Sequence, residues 1–272
     1  MHKLLLALLL TQPLLAAEPV YKIAFRFFPA EGRSMHYHAD QSFDDAMVVT
    51  DASGKEVDKK PFAAKEEVDY IETMTAIDRG IAVDFTRRYS KPDDKSYKGH
   101  TVHFVRMGGK VQATSNGVEL KELQSLARGE ENSDAEQFGA MLPKQPVAVG
   151  QTWKVEPLSL AKSLGFTDVD GAHSEASAKL VGVSDRNGHR IATVDVNFNL
   201  LVLSDKDGKL PKPAPFRATI RFDGAIDGST WMHISVKGGF SAQQKITRKD
   251  GKEATVNHDF KFAVEMQTED AR

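Results

Sequence analysis

The chain is 272 residues long, 40% apolar and 27% charged, with a formal net charge of −2 and no cysteine. A chain so close to neutral lacks the basic field that gathers nucleic acid or an anionic bilayer. Lack of cysteine excludes disulfides, thiol catalysis, cysteine–metal sites and an acylated lipoprotein anchor, so burial alone must hold the fold.

At the N-terminus Lys3 precedes the apolar run Leu4–Leu10, and a second short run ends at Ala16-Ala17. A cationic start, an apolar centre and small residues at the cut are the layout of a secretory signal peptide, here 1–17. The run is too short, and is interrupted by Pro13, to cross a bilayer. The expected mature chain starts at Glu18, is periplasmic or extracellular, and has no transmembrane span.

Residues 18–116 read as an N-terminal antiparallel β region. Tyr21, Ile23, Phe25 and Phe27 share one strand face, and so do Ile81, Val83, Phe85 and Tyr89 around an outward Arg87. The segments Val68–Ile77 and Thr101–Met107 are further strands with mixed faces. Residues 117–166 change period. Leu120, Leu123, Leu126 and Ala127 recur at helical spacing, and Ser133 stands three residues before Glu136, a capping-box start for a second helix that Pro143 stops. A third short helix is expected from Pro157 to Leu164.

Residues 167–272 carry the clearest alternation. Ala192, Val194, Val196, Phe198, Leu200 and Val202 share one face, as do Phe216, Ala218, Ile220 and Phe222. Val256, His258, Phe260, Phe262, Val264 and Met266 share a third. One dry and one wet face is the mark of antiparallel sheet, since a helix would scatter these sets around its circumference. Ser53-Gly54, Gly108-Gly109, Asn187-Gly188, Asp207-Gly208 and Asp250-Gly251 supply hairpin turns. Residues 18–272 are expected to form one structural unit: a mainly β, curved antiparallel meander with two or three short helices inserted in the middle.

The stretch Met141-Leu142-Pro143-Lys144-Gln145-Pro146-Val147-Ala148-Val149-Gly150-Gln151-Thr152-Trp153 resembles a segment of an uncharacterised exported bacterial family. There a Leu-Pro, a Pro-Val and a Gly-x-x-Trp lead into a C-terminal β region. The resemblance implies a domain of unknown function and carries over no catalytic residue. Physically, Gly150 and Gln151 turn the chain, and Trp153 sets a large ring at a strand start.

Few constellations suggest chemistry. On a strand, His36 and His38 point the same way about 7 Å apart, a spacing from which two imidazoles converge on one metal ion. Asp40 shares their face, and a third ligand would have to come from elsewhere, His100 or His103. The bland alternative is a polar outer face. His258 interrupts an apolar strand face, where a buried imidazole needs a hydrogen-bonding partner. Gly239-Phe240-Ser241-Ala242-Gln243 lacks the second glycine of a nucleophile elbow. Asp205–Gly208 and Asp168–Gly171 begin like calcium loops but lack the later glutamate, so hairpin turns account for them.

A sheet with this many one-sided strands must bury its apolar face, by folding into a sandwich, by curling into a half-barrel closed by the central helices, or by inserting into a membrane. The preferred solution is a bent sheet with the helices on its concave, apolar side, similar in layout to periplasmic lipoprotein carriers. The functional expectation is a non-catalytic exported protein without a cofactor. It would hold an apolar small molecule or lipid, or an envelope protein, against Phe198, Leu200, Phe222, His258, Phe260 and Phe262. Two alternatives stand beside it: a metal-dependent hydrolase built on His36 and His38, and an interaction module that pairs through exposed strand edges.

Overall fold

A computed structural model describes residues 18–131, 138–158, 161, 166, 168–186, 188–204, 213–248 and 250–271. The signal peptide expected at 1–17, the capping-box start Ser133–Glu136 and the Asp207-Gly208 turn lie outside the described residues.

Two-residue periodicity becomes one large sheet. Its strands are β2 (Ser34–Asp51), β3 (Glu56–Asp78), β4 (Ile81–Lys91), β5 (Thr101–Met107), β6 (Lys110–Thr114), β8 (Thr152–Lys154), β9 (Asp168–Arg186), β10 (His189–Ser204), β11 (Ala214–Ala225), β12 (Met232–Thr247) and β13 (Glu253–Asp270). The order across the sheet is β6-β5-β4-β3-β2-β13-β12-β11-β10-β9-β8, every pair antiparallel. The sheet is open, with β6 and β8 at its edges. A short pair, β1 (Val20–Tyr21) with β7 (Val147–Ala148), stands apart. Each half is a run of hairpins, and β2 joins β13 in a seam from Met35↔Asp270 to Asp51↔Ala254.

One face of this sheet, the inner face, carries the core. On β10 and β11 it is built from Val194, Val196, Phe198, Leu200, Val202, Phe216, Ala218, Ile220 and Phe222, all buried as the alternation requires. The covering layer is largely irregular chain. Tyr21–Phe27, expected as a strand, continues past β1 without sheet pairing. Ile23 and Phe27 are buried in it, so the alternation there reports burial and not a ladder. Phe25 lies against Phe222 at 6.0 Å between ring centroids, above Gly224, where an added Cβ would stand 2.6 Å from the Phe25 ring.

The 141–153 stretch folds onto the β8–β9 edge. Trp153 Nε1 donates to the Met141 carbonyl at 2.9 Å. Gly150, at φ 87°, donates its N–H to Leu180 at 2.7 Å. Of the expected helices, α1 (Leu120–Gly129) is present, with Leu123 and Ala127 buried. Within the other two, the described residues 138–139, 157–158 and 161 have helical backbone, while 140–142 turn.

Arg87 corrects the sequence reading: it is buried and points inward. Strand parity demands it, since Phe85 and Tyr89 flank it two residues away on either side. Its Nε donates to Glu72, the residue opposite on β3, at 2.8 Å. Its two terminal nitrogens clasp Glu130, just past α1. The guanidinium carbon stands 4.5 Å above the Tyr70 ring. Burial opposes the charge, but Glu130, Tyr70 and Glu72 together hold Arg87 protonated. This ion cluster fastens α1 onto the N-terminal half of the sheet.

Candidate functional site: an apolar blade

The buried core stops near the row Val68–Ala39–Met266–Ile234, which crosses β3, β2, β13 and β12. All four strands continue beyond it. From Asp40 to Asp51, β2 alone adds roughly 40 Å of strand at 3.3 Å per residue. In this four-stranded blade the inner-face side chains of β2, β12 and β13 become mostly half-buried, with Ala254 near the tip still buried, while those of β3 become exposed at Glu66, Phe62 and Lys60. The described residues thus leave much of this apolar face without a second layer.

Register shows what lies on it. Opposed residues of antiparallel strands share a face, which gives the row Val236, Val264, Gln41, Glu66, then Gly238, Phe262, Phe43, Ala64. Next come Phe240, Phe260, Asp45, Phe62, and Ala242, His258, Met47, Lys60. The rings form a continuous run that begins inside the core. Phe198 meets Phe216 at 6.0 Å, and Phe216 meets Phe262 at 5.8 Å. Phe262 meets Phe260 at 6.0 Å, Phe260 meets Phe240 at 5.5 Å, and Phe240 meets His258 edge-on at 4.9 Å. Such offset and edge contacts stabilise each pair beyond its buried area.

His258 has its partner. Its Nε2 lies 2.6 Å from Asp45 Oδ1, across the seam, and its side chain is 11% exposed. The carboxylate only accepts, so the imidazole N–H donates, and the ring stands satisfied among phenylalanines. Of the six residues expected to line a ligand site, Phe198, Leu200 and Phe222 are buried core. His258, Phe260 and Phe262 are brought together on the blade. Phe216 bridges the two sets. Phe43, Phe240 and Asp45 belong to the site and escaped the sequence reading. The alternation Phe43, Met47, Val49 was visible, but the Asp45–His258 contact depends on register between residues 213 apart.

His36 and His38 share a face, as their spacing required, and it is the outer face. Both direct ring nitrogens at Asp69 Oδ2, 2.8 and 3.4 Å away. His38 also reaches Asp40 at 3.3 Å. Partial burial opposes ionisation of Asp69, but hydrogen bonds from Ser90 and His36 hold its carboxyl below the usual range. His103 bonds Asp84 at 2.9 Å instead of joining them. Among the described residues no group of three or more His, Asp or Glu is arranged to hold a metal ion.

No helix among the described residues is long and apolar enough to cross a membrane. No family model and no curated protein matches the chain. Among solved structures it is similar to a Pseudomonas aeruginosa FadL homologue, at 7% identity over 88% of this chain and 90% of that one. The TM-score is 0.22, a likeness too slight to transfer a fold or a site.

Proposed function

We propose that this is an exported, non-catalytic binding protein whose blade takes up an apolar ligand, the acyl chain of a lipid being the chemistry that fits best. One observation carries the reading: the aromatic run from Phe216 to His258 leaves the covered core and continues onto a face of half-buried rings. Exposed contiguous apolar surface of this kind marks an interaction site more often than it marks idle surface. The pairing of His258 with Asp45 neutralises the polar interruption among the rings of β12 and β13, so a hydrocarbon chain laid along those two strands meets rings and methyl groups from Val236 to Ala242.

Titration with the fluorescent fatty acid cis-parinarate tests the proposal. Saturable binding is expected in the wild type. Phe260→Ser combined with Phe262→Ser should weaken it, at about 1 kcal/mol per ring lost, by tenfold or more. Both rings are only half-buried, so the double variant should remain folded by circular dichroism. A titration without a saturable component, or one the double variant leaves unchanged, overturns the reading.

A further inference from the structure

The outer face of the sheet holds a different surface. Over β8–β12 it forms a groove of about 990 Å3. Register lays out its floor as a row across five strands: Lys154, Ser177, Asn197, Thr219 and Lys237. A second row is Glu175, Asn199, Arg217 and Gly239. Lys154 and Lys237 stand four strand spacings apart, about 19 Å at 4.8 Å each. Neither they nor Arg217 and Glu175 have an ion-pair partner among the described residues. That contrasts with Arg221 in the neighbouring row, which bonds Asp195 at 2.7 and 2.8 Å. The groove therefore presents three free cations against one free carboxylate.

Its floor is also incomplete. The side-chain oxygen of Asn199 is buried and has no hydrogen-bond partner among the described residues. A buried acceptor left unpaired is costly, and a donor in the groove relieves it once the Asn199 side chain turns outward. The cations ask for negative charge, while Asn199 asks for a hydroxyl or N–H. Ser177, Thr219 and Asn197 add hydroxyl and amide groups along the same length.

We propose that this groove binds an acidic saccharide, carboxylates toward Arg217 and the lysines and a ring hydroxyl toward Asn199. An acidic peptide carries the same charges but fits less well. At Asn199 and Arg217 the floor strands β10 and β11 are paired on both sides, so a peptide finds no free backbone edge there, and β8 covers β9 only at Ser177–Lys179. The groove lies on the opposite side of the sheet from the blade's apolar face, so the two readings stand or fall separately.

Calorimetry with tetragalacturonate tests it, with neutral maltotetraose, hexaglutamate and inorganic phosphate as comparisons. Tetragalacturonate should bind, the three others at least tenfold more weakly, and its affinity should fall as salt rises. Arg217→Ala with Lys237→Ala should lower that affinity tenfold or more. Both side chains are exposed, so the unfolding midpoint should not move. No tetragalacturonate binding, binding unchanged in the double variant, or equal binding of hexaglutamate, phosphate or maltotetraose overturns the proposal.

Discussion

Gly239 is held to glycine by its neighbour's backbone: an added Cβ would lie 2.0 Å from the Phe260 carbonyl oxygen. Backbone cannot swing aside as a flexible side chain can, so Gly239→Ala should destabilise by about 3 kcal/mol or more in urea unfolding. Gly182, with nothing within 4 Å of its added Cβ, is the control, and Gly182→Ala should change stability by about 0.5 kcal/mol or less. Arg87 makes the electrostatic counterpart. Arg87→Ala strands Glu72 in the interior without its cation and should cost about 3–5 kcal/mol, also read by urea unfolding. Removing both charges, as Arg87→Met with Glu72→Met, should recover a large part of that loss. Parity alone placed Arg87 inward. Reading it as outward let residue polarity override geometry, a mistake the flanking Phe85 and Tyr89 already argued against. Asp45 is the opposite case. Nothing near it in sequence points to His258, because the contact exists only once two distant strands have found their register.

At the scale of elements, β3, β4 and α1 enclose a cluster of tyrosines. Tyr70 and Tyr89 lie 5.2 Å apart, and Tyr89 and Tyr97 4.7 Å. Burial pushes the Tyr89 phenol up to about 12 against the opposing field of Arg87. Tyr70 and Tyr97 are raised by burial as well. In the unfolded chain a phenol ionises near pH ~10. A folded value above the unfolded one gives stability that is complete below pH ~10 and fades as pH climbs toward 12. Absorbance at 295 nm should therefore show these tyrosines ionising together with the loss of β-sheet circular dichroism. Ionisation of all five tyrosines near pH ~10 with the sheet intact would contradict this placement. The strands themselves were legible, because period two is a property of each segment alone. So was α1, from Leu123 and Ala127. The blade was not, since alternation says which face is apolar and nothing about whether another layer covers it. That difference has a dynamic signature: amides of 43–49 and 242–258 should exchange with deuterium faster than those of 194–200 and 220–222. Equal protection would mean that the blade is as firmly closed as the core.

Across the whole molecule, the blade extends past its neighbours on both sides. Beyond Asp69, β3 has no partner from β4, and beyond Phe240, β12 has none from β11. The β3 margin carries Lys59, Lys60, Pro61 and Lys65, a composition that discourages another chain from adding on. Lys60→Val with Pro61→Val should promote concentration-dependent association, measured by light scattering.

The seam between β2 and β13 has a further consequence, for the order of events in folding. Met35 opposes Asp270, so the middle of the sheet is stitched from segments far apart in the sequence. Closing so large a loop carries a heavy entropic toll and slows the final step. The hairpins on either side can form early, each from local contacts. They stay two unjoined wings until β13, already paired with β12, docks along β2, and the four-stranded aromatic blade does not exist before then.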